Sequence, residues 1–161
     1  EFIDEEMRKR ILMHKKRRPA TWKTYEIEKK NPESKDIKAV FDSILKNNHD
    51  VILIDCVTIL LFRIIHKFKI DETGTIDNTL DRQIEKEVKD FFKKFLEVCK
   101  NNATFYGITS IIVSNEVGQG VVPPYPLGRI FRDLMGMVNI MISDICDEAY
   151  FFIAGNKIKI K

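Results

Sequence analysis

Stretches with a helical spacing of apolar residues alternate along the chain with short segments rich in apolar residues. The helical pattern, together with capping residues and charged ends, predicts five helices, over residues 4–14, 34–47, 58–67, 77–100 and 127–146. The apolar run Val51–Ile54 shows no alternation and predicts a strand that is buried on both faces, and Ile108–Val113 predicts a second buried strand. Two further strands, over 149–153 and 157–160, flank Gly155-Asn156 and predict a closing hairpin. Buried strands that alternate with helices predict an α/β layered fold with a mainly parallel sheet.

Local signals predict where several of these elements begin and end. Ser34 and Asp77 are the predicted N-caps of the second and fourth helices. Pro19 cannot continue the first helix, whose predicted end is followed by four cations, Lys15–Arg18. Polar residues around Gly74 predict a loop over 69–76, and glycines and prolines predict another over 115–126.

The composition is that of a single domain spanning residues 1–161. Of these residues 44% are hydrophobic, which suffices for a core, and the net charge of +3 is nearly balanced, which argues against bulk nucleic-acid binding. Three cysteines show no CxxC pair and no metal-binding spacing, so we predict reduced thiols in a cytoplasmic protein. No apolar run is long enough to span a bilayer, and no signal peptide is visible.

One histidine stands directly before the four consecutive cations, in the segment Arg10–Glu26. An imidazole can act as a nucleophile toward phosphorus, which makes His14 a candidate for attack on a phosphate group. Lysine and arginine side chains beside it can bind a triphosphate and the charge that develops during the attack. The alternative interpretation is structural: a helix that ends in a solvated basic turn, with Trp22 packed in the core.

Each of the two predicted buried strands is followed by an acid near its carboxyl end. Asp55 directly follows Val51–Ile54, and Glu116 follows the second strand. Ligands of open α/β sheets bind outside the carboxyl ends of strands, and a hydrophobic run that ends in aspartate is the pattern that binds Mg²⁺ in P-loop nucleotide enzymes. The alternative is an acid that caps the next helix. We predict Asp55 as a Mg²⁺ ligand, and Glu116 and Arg132 as candidate catalytic or substrate-binding residues.

Other conspicuous residues are assigned to structure. Arg129 and Asp133 are four residues apart on one predicted helix, a spacing that favours an ion pair. His49 lies in a predicted loop and His66 in a predicted helix, and we assign both to structure or surface. The loop at 115–123 contains two glycines but lacks the strand–GxG–helix context of a dinucleotide site.

Taken together, four segments resemble one family, the bifunctional adenosylcobinamide kinase/adenosylcobinamide-phosphate guanylyltransferase of cobalamin biosynthesis. In chain order they are RILMHKKRRPATWKTYE, VILIDCVT, VSNEVGQGVVPPYPLGRIFRDLMGMVN and DEAYFFIAGNKIKIK, and they cover most of the chain. The resemblance implies a RecA-like P-loop NTPase fold and an enzyme that uses GTP and ATP as substrates with Mg²⁺. It further implies transfer of GMP from GTP to adenosylcobinamide phosphate through a guanylylated histidine, giving adenosylcobinamide-GDP. An ATP- or GTP-dependent adenosylcobinamide kinase activity accompanies this transfer in the family.

The resemblance also implies roles for individual residues. His14 matches the histidine that takes GMP covalently, Glu26 and Asp55 match two acids of the GTP site, and Glu116 matches the acid of the NEVG loop. Nucleotide contacts are implied for the residues directly after the histidine, Lys15, Lys16, Arg17 and Arg18. The implied partners are adenosylcobinamide, its phosphate and the nucleotides, without nucleic acid or membrane. The family also implies a homo-oligomer, expected to be a trimer.

The sequence departs from the family pattern in two places. Ile140 stands where the family often has glutamine after Asn139. The family also begins with a strand and a Gly-rich P-loop that ends in Gly-Lys-Ser, and no G-x-x-x-x-G-K-[ST] motif is present in these residues. We therefore expect the biological chain to be longer, with the N-terminal strand and the P-loop upstream of Glu1. We expect the kinase step to depend most on that loop.

Two other interpretations of the sequence stay open. A non-catalytic relic or fragment of this fold, acting as an assembly or regulatory module, would be consistent with the absent P-loop motif. A small RNA-binding module that uses Arg8–Arg18 is disfavoured by the nearly balanced charge and by the lack of stacking aromatics beside the cations.

Overall fold

The computed structural model describes residues 5–27, 32–68, 70 and 77–161, and within them a mixed α/β fold. Most of the predicted loop at 69–76 and the predicted first helical residue, Asp4, lie outside the described residues. In chain order the elements are α1 (Glu5–Arg17), α2 (Ser34–Leu45), β1 (Val51–Ile54), α3 (Val57–His66), α4 (Asn78–Tyr106), β2 (Thr109–Ile112), α5 (Pro126–Ile145), β3 (Tyr150–Ile153) and β4 (Asn156–Lys159).

The strands β1 and β2 pair in parallel, as the alternation of strands and helices predicts. Their register places Val51 opposite Thr109 and Ile54 opposite Ile112, so both strands end at the same edge. Parallel strands need a long crossover, and here α3 and α4 supply it. The carboxyl ends of both strands therefore face one common region, where ligands bind in open α/β sheets.

The strands β3 and β4 form the predicted antiparallel hairpin, in a sheet separate from the parallel pair. Its turn residues are Ala154 and Gly155, with φ of 49° and 77°, one position earlier than the predicted Gly155-Asn156 turn. Two-residue hairpin turns take positive φ because that twist matches the flanking strands, and glycine adopts it without a steric cost.

The prediction that the first strand is buried on both faces is wrong, and the second predicted buried strand is only partly buried. Ile52 is buried against the core, but Val51 and Leu53 are 53% and 43% exposed, and Ile111 in β2 is also exposed. Side chains alternate across a strand, so one face of the β1–β2 pair packs on the helices. Among the described residues nothing covers the other face.

The core is built around α4, which packs against α2, α3, α5 and β2. Its predicted apolar stripe is confirmed, since each of the following side chains is buried: Ile84, Val88, Phe91, Phe92, Phe95 and Leu96. The aromatic rings of this stripe meet edge to face, with centroids of Phe91 and Phe92 5.4 Å apart. None of the helices in the described ranges is long and apolar enough to cross a membrane.

Several helix ends differ from the predicted ones, and each difference has a local cause. The helix α4 continues to Tyr106 because Gly107, at φ 68°, is the residue that ends it. The helix α1 continues through Arg17, since lysine and arginine are good helix formers and Pro19 is the first residue that forbids helix. The cap of α2 is Glu33 rather than Ser34. The predicted cap Asp77 is confirmed, because its carboxylate accepts from the Thr79 and Leu80 amides.

The three cysteines are free thiols. Cys99 lies in the core, where burial raises its thiol pKa to about 11. A thiol with this pKa stays protonated at neutral pH, so Cys99 is a packing residue rather than a nucleophile.

Replacing Phe92 with alanine should lower the free energy of unfolding by about 3–5 kcal/mol, because this side chain is fully buried among aromatic neighbours. Phe105→Ala, near the end of the same helix, is the matched control because Phe105 is 73% exposed. Denaturant unfolding of both variants measures the difference. A loss of only about 0.5 kcal/mol for Phe92→Ala, the size expected of a surface change, would contradict the assigned core.

Candidate active site

The helix α1 has no buried residues and presents His14 and the basic residues to solvent. The segment after it, residues 18–27, is here called the strap, and side chains hold it to the rest of the fold. Lys23 donates to the Asn47 side chain at 2.7 Å, and the Tyr25 hydroxyl lies 3.1 Å from Nε2 of His49. His49 is therefore a structural residue, as predicted, and it fixes the strap against the loop before β1.

The side chain of His14 meets the carboxylate of Asp55. The atoms His14 Nε2 and Asp55 Oδ2 are 3.2 Å apart, with the two side chains 58% and 36% exposed. Asp55 follows the last residue of β1, so the pairing joins the exposed helix α1 to the carboxyl edge of the parallel strands. The two residues predicted independently as nucleophile and strand-end acid thus lie at one site.

A second ion pair lies one residue further along α1. Lys15 Nζ is 2.5 Å from Oε1 of Glu26, which stands on the strap. The hydrogen bond from Lys15, with additional positive charge from Arg18 and Arg63, lowers the pKa of the Glu26 carboxyl. Glu26 therefore stays ionised at neutral pH and offers a carboxylate beside an ammonium group.

An open cavity of about 500 Å³ lies between the end of α1 and the strap. Its lining combines cations, a carboxylate and one indole ring: Lys15, Arg18, Pro19, Ala20, Trp22, Thr24 and Glu26. Trp22 is 55% exposed, so the interpretation that it packs in the core is wrong. Arg18 is held in place by its guanidinium, which donates to the Thr24 hydroxyl at 3.0 Å. The size of the cavity lies within the range of small-molecule sites in proteins.

Hydrogen bonds tie the loop after β2 to both neighbouring helices. The Thr58 hydroxyl at the start of α3 donates to Asn115 Oδ1 at 2.6 Å. On the other side, the Asn139 amide of α5 donates to the Asn115 carbonyl at 3.1 Å and accepts from Ser114 at 2.5 Å. The loop that follows β2 is therefore fixed beside the loop that holds Asp55.

The two remaining candidate residues stabilise this loop. The Glu116 carboxylate accepts from the Gly118 amide at 2.6 Å, and Arg132 donates to the Gly118 carbonyl at 2.9 Å. The predicted ion pair between Arg129 and Asp133 is wrong. Arg129 instead donates to the Pro124 carbonyl at 2.8 Å, because the proline-containing turn brings backbone oxygens within its reach.

The structure therefore gathers some of the predicted residues and separates others. It brings His14 to Asp55 and Lys15 to Glu26, with Arg18 at the same cavity. Lys16 and Arg17 are exposed on α1 and do not line this cavity. Trp22, Thr58 and Asn139 were not predicted as site residues, although all lie within or beside the segments that resemble the family.

Comparison with known proteins connects this geometry to an established family. A sequence profile of the family described as cobinamide kinase / cobinamide phosphate guanyltransferase matches residues 1–160 of this chain. The matched range includes the residues of the histidine site and the cavity, together with the loop after β2.

Three curated proteins are similar over nearly the whole chain. The bifunctional adenosylcobalamin biosynthesis protein CobU of Salmonella typhimurium is 28% identical over 161 residues, which are 100% of this chain and 82% of that protein. The protein of the same name from Escherichia coli is 27% identical, with the same coverage. The bifunctional adenosylcobalamin biosynthesis protein CobP of Pseudomonas aeruginosa is 28% identical over 158 residues, 98% of this chain and 76% of that protein.

Proposed function

Because the chain belongs to the cobinamide kinase / cobinamide phosphate guanyltransferase family, we propose that it transfers GMP from GTP to adenosylcobinamide phosphate. The product is adenosylcobinamide-GDP, and the same protein phosphorylates adenosylcobinamide with ATP or GTP. The observation that carries the proposal within this chain is the placement of His14 beside Asp55 at the strand edge, next to a basic cavity.

Guanylyl transfer proceeds in two half-reactions. First, His14 attacks the α-phosphorus of GTP and pyrophosphate leaves. Second, a phosphate oxygen of adenosylcobinamide phosphate attacks the GMP-histidine and releases the free imidazole. Transfer at phosphorus depends chiefly on positioning and on neutralising charge, and a histidine with cations at its side supplies both.

The cavity beside the strap is the proposed nucleotide site. The ammonium group of Lys15 and the guanidinium of Arg18 can bind phosphate oxygens, and Lys16 and Arg17 add positive charge nearby. The exposed indole of Trp22 offers a face on which the base can stack. Glu26, held ionised, can accept hydrogen bonds from the N–H groups of guanine or from a ribose hydroxyl.

Asp55 is the proposed Mg²⁺ ligand. Within the described ranges there is no cluster of three His, Cys, Asp or Glu side chains that could hold a metal by themselves. This fits Mg²⁺, which is commonly bound by one or two carboxylates plus substrate phosphates and waters. When bound with GTP, Mg²⁺ would neutralise phosphate charge. Glu116 and Arg132 are proposed to order the loop after β2, against which the substrate would lie.

We propose further that residues 1–161 form one nucleotide-binding domain of RecA-like type, acting in the cytoplasm as a homo-oligomer. The parallel pair β1–β2 with its flanking helices supports this fold, and the trimer stays a prediction. The alternative, a non-catalytic relic, is not favoured, because the family match covers residues 1–160 and His14 and Asp55 are brought together.

The direct test is incubation with Mg²⁺ and GTP labelled at the α-phosphate, followed by denaturation and a search for label on protein. We expect one label per chain, labile in acid and stable in alkali, as a phosphoramidate of histidine is. GTP labelled at the γ-phosphate should leave no label. Label that survives acid would indicate an ester to serine or threonine, and absence of any label would contradict the proposed function.

Replacing Trp22 with alanine should raise KM for GTP about tenfold, because base stacking on an aromatic ring contributes about 1–3 kcal/mol. The rate at saturating GTP should change little, since the ring lies away from the reacting phosphorus in this proposal. Trp22→Phe should retain most of the affinity. Tyr106→Ala, at another exposed aromatic residue, is the control. A KM unchanged by Trp22→Ala would exclude the indole from the nucleotide site.

A further inference from the structure

Alternate residues of the strap face the cavity and the rest of the protein. The cavity is lined by every second residue, Trp22, Thr24 and Glu26. The residues between them attach the strap to the body of the fold, and they are Lys23, Tyr25 and Ile27. Such alternation is typical of an extended chain, in which successive side chains point to opposite sides. One side of the strap therefore lines the proposed nucleotide site, and the other side fixes its position.

The end of the strap is attached by Arg63 of α3. Its guanidinium donates through Nη1 to the carbonyl of Ile27, at 2.8 Å, and Ile27 directly follows Glu26 in the chain. We infer that Arg63 is a positioning residue for the nucleotide site, which holds the end of the strap so that Glu26 meets the bound nucleotide. This inference rests on the proposed function and adds a residue outside the cavity that controls the affinity for GTP.

Arg63 stands on a rigid element. Its neighbours in α3, Leu61 and Ile64, are fully buried in the core, so the base of the Arg63 side chain is fixed. The Ile27 side chain also packs on the core, but packing of an aliphatic group leaves the direction of its peptide open. A hydrogen bond to the carbonyl fixes that direction, because donors approach a carbonyl oxygen near the plane of its peptide. Arg63 thereby orients the chain directly after Glu26.

The effect extends from Glu26 to a cation of α1. The carboxylate of Glu26 pairs with Lys15 at 2.5 Å, and α1 buries none of its residues. The position of Lys15 therefore depends on side-chain contacts rather than on packing, and Glu26 supplies a contact that is itself oriented from α3. Arg63 is not among the described residues that line the cavity, so it acts on a nucleotide through Glu26 and Lys15.

The charges at this end of the strap agree with the geometry. The pKa of the Glu26 carboxyl is lowered chiefly by the hydrogen bond from Lys15, and the positive charges of Arg18 and Arg63 add to that effect. Arg63 therefore lies close enough to act on the carboxylate as well as on the backbone beside it. Removing its guanidinium should leave Glu26 less well oriented and surrounded by less positive charge.

Replacing Arg63 with methionine keeps an apolar stem but removes the charge and the donor. We expect the GTP concentration for half-maximal labelling to rise roughly tenfold. The rate at saturating GTP should change little, because lost positioning of a binding group weakens affinity rather than the transfer step. Arg63→Lys should restore most of the affinity, since an ammonium can also donate to the Ile27 carbonyl. Arg82→Met, at an exposed arginine of α4, is the matched control.

These measurements separate the inference from the proposed function. If the parent protein takes label and Arg63→Met needs no more GTP than the parent, the inference is overturned and the proposed function stands. Arg63→Met that loses stability in denaturant unfolding without a change in GTP affinity would likewise show a purely structural role. Absence of label on the parent protein would instead overturn the proposed function.

A double-mutant cycle tests whether Arg63 acts through Glu26. Glu26→Gln by itself should also raise the GTP requirement roughly tenfold, because the carboxylate is lost from the cavity. If Arg63 positions Glu26, adding Arg63→Met to Glu26→Gln should change little, and the double variant stays near tenfold. Two independent effects would multiply to roughly 100-fold, and that result would overturn the positioning role.

Discussion

Covalent labelling by GTP and guanylyl transfer should disappear when His14 is replaced by alanine, whereas adenosylcobinamide kinase activity should persist. The two activities respond differently because phosphorylating the cobinamide hydroxyl requires no enzyme-bound GMP. His14→Asn should behave in the same way, since an amide cannot form the phosphoramidate. Labelling with α-labelled GTP, transfer to adenosylcobinamide phosphate, and phosphorylation of adenosylcobinamide are the three measurements.

The other two histidines supply the controls. His49 shares a hydrogen bond with the Tyr25 hydroxyl, and the ring of His66 stacks on Phe62. The histidine that pairs with Asp55 in the described structure is His14. His49→Ala and His66→Ala should therefore keep the label. The stability of His14→Ala should stay within about 0.5 kcal/mol of the parent protein, as expected for an exposed side chain, so a folding defect cannot explain its loss of labelling. A labelled His14→Ala protein would place the nucleophile elsewhere and overturn the proposed mechanism.

Much of the fold is predictable because its signals are local. The stripe on α4 repeats at helical spacing and is buried, and the Asp77 cap is correctly predicted from residue type. Helix ends are less predictable, because the sequence between residue 100 and Gly107 contains nothing that stops a helix before the glycine does. The burial of β1 is predicted wrongly for a different reason. An unbroken apolar run indicates that a strand tends to be buried. It does not indicate which face of the strand is packed against the described residues.

The members of the site are predictable singly, and their arrangement is not. His14 and Asp55 are each indicated by a neighbouring pattern, but their contact joins two elements that are distant in sequence. The same holds for Lys15 and Glu26, whose pairing depends on how the strap turns after Pro19. Trp22 illustrates the opposite error. A lone tryptophan is most simply interpreted as core, and only its exposure beside charged residues indicates a ligand surface.

Replacing Asp55 with asparagine should leave the fold intact and lower both activities strongly. The side chain is 36% exposed, so the free energy of unfolding should change by only about 0.5 kcal/mol. Guanylyl transfer loses the carboxylate that contacts His14 and is the proposed Mg²⁺ ligand, for which we expect a fall of roughly 100- to 1,000-fold. Kinase activity should also fall, because the proposed Mg²⁺ ligand serves the nucleotide in both reactions.

A titration of both reactions with Mg²⁺ distinguishes metal binding by this carboxylate from an effect through its contact with His14. If Asp55 binds the metal, the asparagine variant needs more Mg²⁺ for half-maximal activity in the kinase and transferase assays alike. If Asp55 acts only through its contact with His14, the kinase rate and its Mg²⁺ dependence stay at the level of the parent protein, and transfer alone is impaired. Turnover that matches the parent at limiting Mg²⁺ in both assays would exclude Asp55 from either role. Asp50→Asn is the control, because Asp50 is exposed and lies at the opposite end of β1. This variant also loses one negative charge, and it should alter neither reaction.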